Sequence, residues 1–375
     1  MSDSRFPEAR LVSRITVHLP RRLTTRLTQR LSNMGMDNVL LESGRTVRRV
    51  VARRPFGLPG TVDRLEDSVV DVLHMTVPQD AEQSVLQELA RTAELDVPGY
   101  GSIYAQRVEE YGCNDMPEPN VQETGAKPRR RFLSDLALIA GIVSMSEATS
   151  RLVETALELG SSVPVITLGA GTGVRDQLGL LRVTIPPEKE ILQLLVPQYD
   201  ATEIMRLLVE EGRLDRPGRG FMYQTPVTAG MLDTRLRVGP SEHAASMEQV
   251  IAAIDEIRRG TWWRKRFSAE ESSSRSSAGP LNLGNTEITL ICAEGRADSL
   301  VKVALNAGAG GATTTRLHRL QTGTVEGGAA RERSILSVPA DLARAVVEAV
   351  LDADAIGDDP CNRIQVLAAP AGSGS

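Results

Sequence analysis

The chain has 375 residues with a net charge of -5 and 41% apolar residues, enough for two or three folded domains, but only 3% aromatics, so the cores must be built from Leu, Val, Ile and Ala. No global basic field exists to hold nucleic acid. Cys113, Cys292 and Cys361 are far apart without a CxxC pair, and His18, His74, His243 and His318 form no HxH or HExxH pattern. Neither a disulfide framework nor a metal site has support in the sequence. With no signal-peptide layout and no apolar run longer than Leu136–Val143, the expectation is a soluble, cytoplasmic protein without membrane insertion.

Taken in chain order, the predicted elements come three times in the order strand, helix, strand, strand, helix, strand. In the first set, Ile15–Leu19 alternates apolar and polar as a half-buried strand does. Leu23, Leu27 and Leu31 follow at helical spacing, closed by Gly35. Val39-Leu40-Leu41 begins a strand, Ser43 to Glu66 reads as a loop, Ser68–Val77 as a strand and Gln79–Ala93 as a helix. Val97-Pro98-Gly99-Tyr100-Gly101 then turns into Ser102–Gln106. In the second set, Leu136–Val143, Ser146–Leu159 and Val163–Leu168 lead to a Gly169-Ala170-Gly171-Thr172-Gly173 loop. After it come Glu190–Val196, Ala201–Glu211, the turn Arg216-Pro217-Gly218-Arg219-Gly220 and Phe221–Gln224. PGYGSIY and PGRGFMY end the two sets alike. A helix over Ser246–Arg259, Trp262 and Trp263 to fasten it, and a Ser-rich linker over Ser268–Pro280 separate this from a third set. That set comprises Glu287–Ala293, Ala297–Asn306, Ala312–Arg319, Arg333–Val338, Ala340–Ala353 and Arg363–Leu367, without the PGxG turn.

The order predicts an α+β chain of three tandem ferredoxin-like βαββαβ domains. They are placed at 12–110, 135–240 and 286–370, with a linker at 111–134 and a helix plus linker at 241–285. The loops carry a resemblance to the nitrogen-regulatory PII-like signalling family. It rests on GAGTG at Gly169–Gly173, PPEKEILQLLVP at Pro186–Pro197, EEGRLDRPGRG at Glu210–Gly220 and FMYQTPV at Phe221–Val227. Weaker counterparts are ESGRT at Glu42–Thr46 and LDVPGYGSIYA at Leu95–Ala105. The resemblance implies a PII-like pseudotrimer closed within one chain, hence a monomer. It implies a non-enzymatic regulator that takes an adenine nucleotide (ATP, ADP or AMP) or a related small anionic effector in an interdomain cleft and controls a protein partner. That partner is a transporter at the cytoplasmic face of a membrane, a channel or an enzyme.

Residues carried over for ligand binding are Gly171, Thr172, Gly173 and Arg175, with Gly218, Arg219 and Gly220, and on the first set Gly44, Arg45, Gly99 and Gly101. Glycine lets backbone N–H groups ring a phosphate, and arginine pairs with it bidentately. The family's turn carries Asp and Lys where this chain has Tyr100 and Arg219, and Ser102 and Phe221. The competing reading makes these glycines turns and the protein a structural or assembly protein that has lost its ligand. An enzyme reading would use Glu188, Glu190 and Glu210 for acid–base chemistry, and their expected surface placement, as solvated charges, speaks against it.

Overall fold

On β1 (Arg10–Pro20) the side chains of Ile15, Val17 and Leu19 are fully buried, and so are the polar ones between them: Thr16 is 2% and His18 4% exposed. Both faces of the sheet are therefore covered, and that observation decides the architecture. The computed structural model describes residues 8–36, 38–53, 61–112, 118–121, 131–144, 147–173, 188–214, 219–238, 253–254, 257–258, 285–320, 329–357, 359, 361–369 and 371–373.

After β1 come α1 (Thr24–Asn33), β2 (Val39–Arg53), β3 (Thr61–Pro78), α2 (Glu82–Thr92) and β4 (Ser102–Gly112). Then follow β5 (Leu136–Ser144), α3 (Glu147–Leu159), β6 (Val165–Gly173), β7 (Glu188–Pro197), α4 (Ala201–Gly212) and β8 (Gly220–Val227), with the short β9 (Ala229–Met231) and β10 (Arg237–Val238). The last set is β11 (Asn285–Ala293), α5 (Ala297–Asn306), β12 (Gly311–Leu320), β13 (Ala330–Pro339), α6 (Ala343–Asp352), β14 (Arg363–Ala369) and β15 (Ala371–Ser373).

The expected division into three tandem ferredoxin-like domains is corrected here. The strands belong to one sheet, antiparallel except for the β10–β2 pair, and that sheet closes on itself as a barrel. From β2 the hydrogen-bonded path runs through β3, β1, β4, β14, β11, β13 and β12 and returns to β2 at Leu41↔His318. From β12 it also runs on through β6, β7, β5 and β8, and β6 bonds back to β2 at Gly44↔Thr167. Ladders such as Glu109↔Val366 join strands from opposite ends of the chain, so no separate four-stranded sheets exist. The segment read as a loop from Ser43 to Glu66 is another correction. Over most of that span β2 and β3 pair in unbroken register from Leu40↔His74 to Arg53↔Thr61, because Thr46, Val47, Val50 and Val51 are β-formers with a partner strand in reach.

The helices lie on the outer face. Leu27, Leu31, Val85, Leu86 and Leu89 of α1 and α2 pack on Ile15, Val17 and Leu73. Leu152, Val153, Met205 and Leu208 of α3 and α4 pack on Ile139, Leu192 and Leu194. Leu300, Val301, Val346 and Val350 of α5 and α6 pack on Ile288, Leu290 and Leu336. The interior face is polar and cross-linked. Glu287 takes Arg14 Nη2 at 2.9 Å and the hydroxyl of Tyr223 at 2.9 Å. Arg333 donates to Glu42 at 2.7 Å and to His74 Nε2 at 2.6 Å. His74 therefore carries its proton on Nδ1, facing Thr16 Oγ1 at 3.3 Å. His18 sits between Ser102 Oγ, 2.9 Å from Nδ1, and Gln193 Oε1, 3.0 Å from Nε2.

These environments set the charges. Burial lowers His18 to about 4, against the pull of Gln193 and Glu42. Burial and then the neighbouring Arg333 lower His74 to about 3. Burial opposes the charge on Glu42, but the neighbouring Arg333 guanidinium outweighs it and holds the carboxyl at about 2. Each imidazole binds its proton near 6.5 in the unfolded chain and far lower in the fold. As pH falls below 6.5 the unfolded state is protonated first, so stability is lost; Glu42 extends the loss through the range from 4.5 to 2. Near pH 5 the two histidines give a slope of about 2–3 kcal/mol per pH unit. Urea unfolding at pH 7, 6 and 5 should show it, and His18→Gln or His74→Asn should remove about half.

Candidate functional site

Three strands from distant parts of the chain, β2, β6 and β12, meet at one junction. Gly44 of β2 pairs with Thr167, and Gly171, Thr172 and Gly173 of β6 pair with Thr313, Ala312 and Gly311 of β12. Glycine is used here for closeness. A Cβ on Gly44 would meet Ile166 O at 2.9 Å, and one on Gly169 would meet Thr313 Cγ2 at 2.8 Å. The run expected to be a phosphate loop is thus strand, its backbone engaged with β7 and β12.

Against this junction lies a cleft of about 740 Å³, within the usual range of small-molecule sites. Its walls include Ser43, Leu168, Thr172, Arg316, His318 and Arg331. Leu168 is 60% exposed, and Arg316 and His318 are exposed on β12 with no hydrogen-bond or ion-pair partner among the described residues. Other charges lining the cleft are already engaged. Glu42 is held by Arg333, Glu332 accepts the N–H groups of Gly295 and Ala297 at the start of α5, and Arg331 reaches Asp359 at 2.8 Å. Exposed Glu294 and Asp298 share the cleft with the guanidinium of Arg316, so it is electrostatically mixed.

The remaining residues singled out by sequence are scattered. Arg45 bridges Asp67 at 2.7 Å and Glu190 at 2.9 Å. Glu190, expected at the surface, is thereby buried; Glu188 is exposed, and Glu210 pairs with Arg206 on the surface of α4. Gly99 donates its N–H to Asp233 Oδ1 at 2.8 Å, and Arg48 closes the same carboxylate at 2.6 Å. Arg219 is exposed and accepts the Ser144 N–H on its carbonyl. Gly101 and Gly220 open β4 and β8 at φ +122° and +141°, where a Cβ would strike His18 O at 1.9 Å and Ile142 O at 2.2 Å. Arg175 and Gly218 lie outside the described residues. So do Cys113, His243, Trp262, Trp263, the Ser-rich linker, and most of the helix expected over 246–259.

Among the described residues chosen from sequence, Thr172 alone lines the cleft. Sequence reading missed Arg316 and His318, whose only trace is alternation along GATTTRLHRL, and Asp233, which has no local signal. Among the described residues no group of three or more His, Cys, Asp or Glu is placed to hold a metal, and no helix is long and apolar enough to cross a membrane.

No family model and no curated protein matches the chain. Among solved structures it is similar to B. subtilis GlnK, at 13% identity over 30% of this chain and 97% of that one, with a TM-score of 0.23. It is also similar to the aspartate kinase from Synechocystis, at 11% identity over 96% of this chain and 44% of that one, with a TM-score of 0.22. The chain spans less than half the length of that kinase. Scores this low carry no argument about family or activity.

The glycine geometry is testable. Gly101→Ala and Gly220→Ala should each destabilise by about 3 kcal/mol or more, since backbone must move as well as adopt a strained angle. Gly35→Ala, where nothing lies within 4 Å, should cost only about 1 kcal/mol, the left-handed penalty. Equal losses at the three positions in denaturant titrations would contradict the close-approach role.

Proposed function

We propose that the chain is a non-enzymatic regulatory protein that takes an adenine nucleotide or a related small anionic effector in the β2–β6–β12 cleft and controls a protein partner. The observation carrying this reading is the cleft itself, of ligand size, with Arg316 unpaired among the described residues on one wall and Leu168 exposed on another. A guanidinium free to fork onto a phosphate, beside an apolar side chain suited to a flat ring, is the pairing such an effector needs. Leu41, Glu42 and Ser43 line the cleft and continue into the β2–β3 hairpin, which gives occupancy a physical route to a partner-facing surface.

A second reading has its own observation. Around Gly99 the backbone N–H, Arg48 and Asp233 satisfy one another, and Arg45 is spent on Asp67 and Glu190. That pattern favours a structural or assembly protein in which protein groups have replaced the ligand.

Thermal unfolding separates the two. ATP, ADP, AMP or a cyclic nucleotide should raise the melting temperature, by the equivalent of about 2.7 kcal/mol when present at a hundred times its Kd. Arg316→Ala should abolish most of that increment while leaving the unliganded melt nearly unchanged, because Arg316 is exposed. No shift with any of the four would leave the structural reading standing.

A further inference from the structure

Arg363, at the start of β14, is 2% exposed. Its Nη1 donates to Thr76 Oγ1 at 3.0 Å and its Nη2 to Asn38 Oδ1 at 3.4 Å, both neutral groups, and its Nε finds no acceptor among the described residues. A buried cation met only by neutral partners is costly and is rarely kept without a counter-charge.

Among the described residues no carboxylate forms an ion pair with it. The barrel interior beside Arg363 holds a chamber lined also by Arg14, Tyr104, Tyr223, Glu287 and Arg333. Arg14 is matched by Glu287, and Arg333 by Glu42. Glu110 accepts the Gln365 amide at 2.8 Å and faces Arg10 at 4.0 Å. In and directly behind the chamber wall, three cations, Arg14, Arg333 and Arg363, therefore meet two carboxylates, Glu287 and Glu42, with both interior histidines neutral. The excess is one positive charge, and Arg363 is the cation without a carboxylate. The Nε of Arg333, in the wall of the same chamber, also finds no acceptor among the described residues. The chamber has about 50 Å³ of room, roughly four waters' worth at about 10–15 Å³ each. Water would satisfy the two N–H groups but not the charge, and a nucleotide is far too large.

We infer that this chamber is a binding site for a small inorganic anion of halide size, with Arg363 as its counter-charge. It is separate from the β2–β6–β12 cleft and stands whether or not that cleft takes a nucleotide.

The test melts the full-length protein and Arg363→Met in sodium chloride and in sodium gluconate at matched ionic strength, taking the difference between the two proteins so that general salt effects cancel. Chloride should stabilise the parent relative to the variant in a saturable manner, as linkage to one bound ion requires. In gluconate the variant should melt no lower than the parent, since it removes an unneutralised buried charge. A crystal soaked in bromide should show an anomalous peak in the chamber beside Arg363; this measurement needs no variant. A parent that melts alike in both salts, with no bromide peak, overturns the inference and leaves the chamber to water.

Discussion

The carboxylate of Glu287 is the point on which the structure turns. It is buried at the centre of the barrel and holds Arg14 from the first strand and the Tyr223 hydroxyl from the middle of the chain. Three remote stretches thus share one anion. Losing either Arg14 or Glu287 would leave the other's charge uncompensated in the interior, a loss on the order of 3–5 kcal/mol. The energetic value of such a pair over an apolar filling is small. What it adds is register: a strand slipped by one residue would turn Arg14 outward and set an apolar neighbour against the carboxylate.

The same logic organises the rest of the interior. The outer sheet face is apolar, and the helices pack on it through non-directional contacts. The inner face is directional, with Arg333, Glu42 and His74 fixing one side and His18, Ser102 and Gln193 another. Closure of the sheet keeps the inner face from water and places every inward polar group under the requirement of finding a partner.

Much of the local structure was legible. Helical spacing of Leu27 and Leu31, alternation along Ile15–Leu19 and the run Leu136–Val143 each mark an element that forms. Closure was not legible, because it rests on ladders of three or four residues, such as Leu40↔Arg319 and Arg45↔Ile166, that carry no local pattern. Alternation itself misled at His18 and Thr16: a polar face reads as solvent-facing, yet here it faces another part of the same sheet. Glycine misled in the same way. Gly169, Gly171 and Gly173 read as a loop because glycine is poor in strands; for Gly169 the reason is the crowding against Thr313 and Thr314 of β12, which only the tertiary pairing reveals. Of the candidate site, Thr172 was within reach of sequence reasoning and the cleft around it was not.

Joining β4 to β14 also has a consequence in time. Residues 109–112 find their ladder partners only at 363–366. On a ribosome adding about 5–20 residues each second, that stretch of β4 emerges roughly 13–50 seconds before its neighbour exists. During biosynthesis it presents bare strand edge, and the charges of Glu109 and Glu110 are what stand there to discourage pairing with a sister chain on the same messenger.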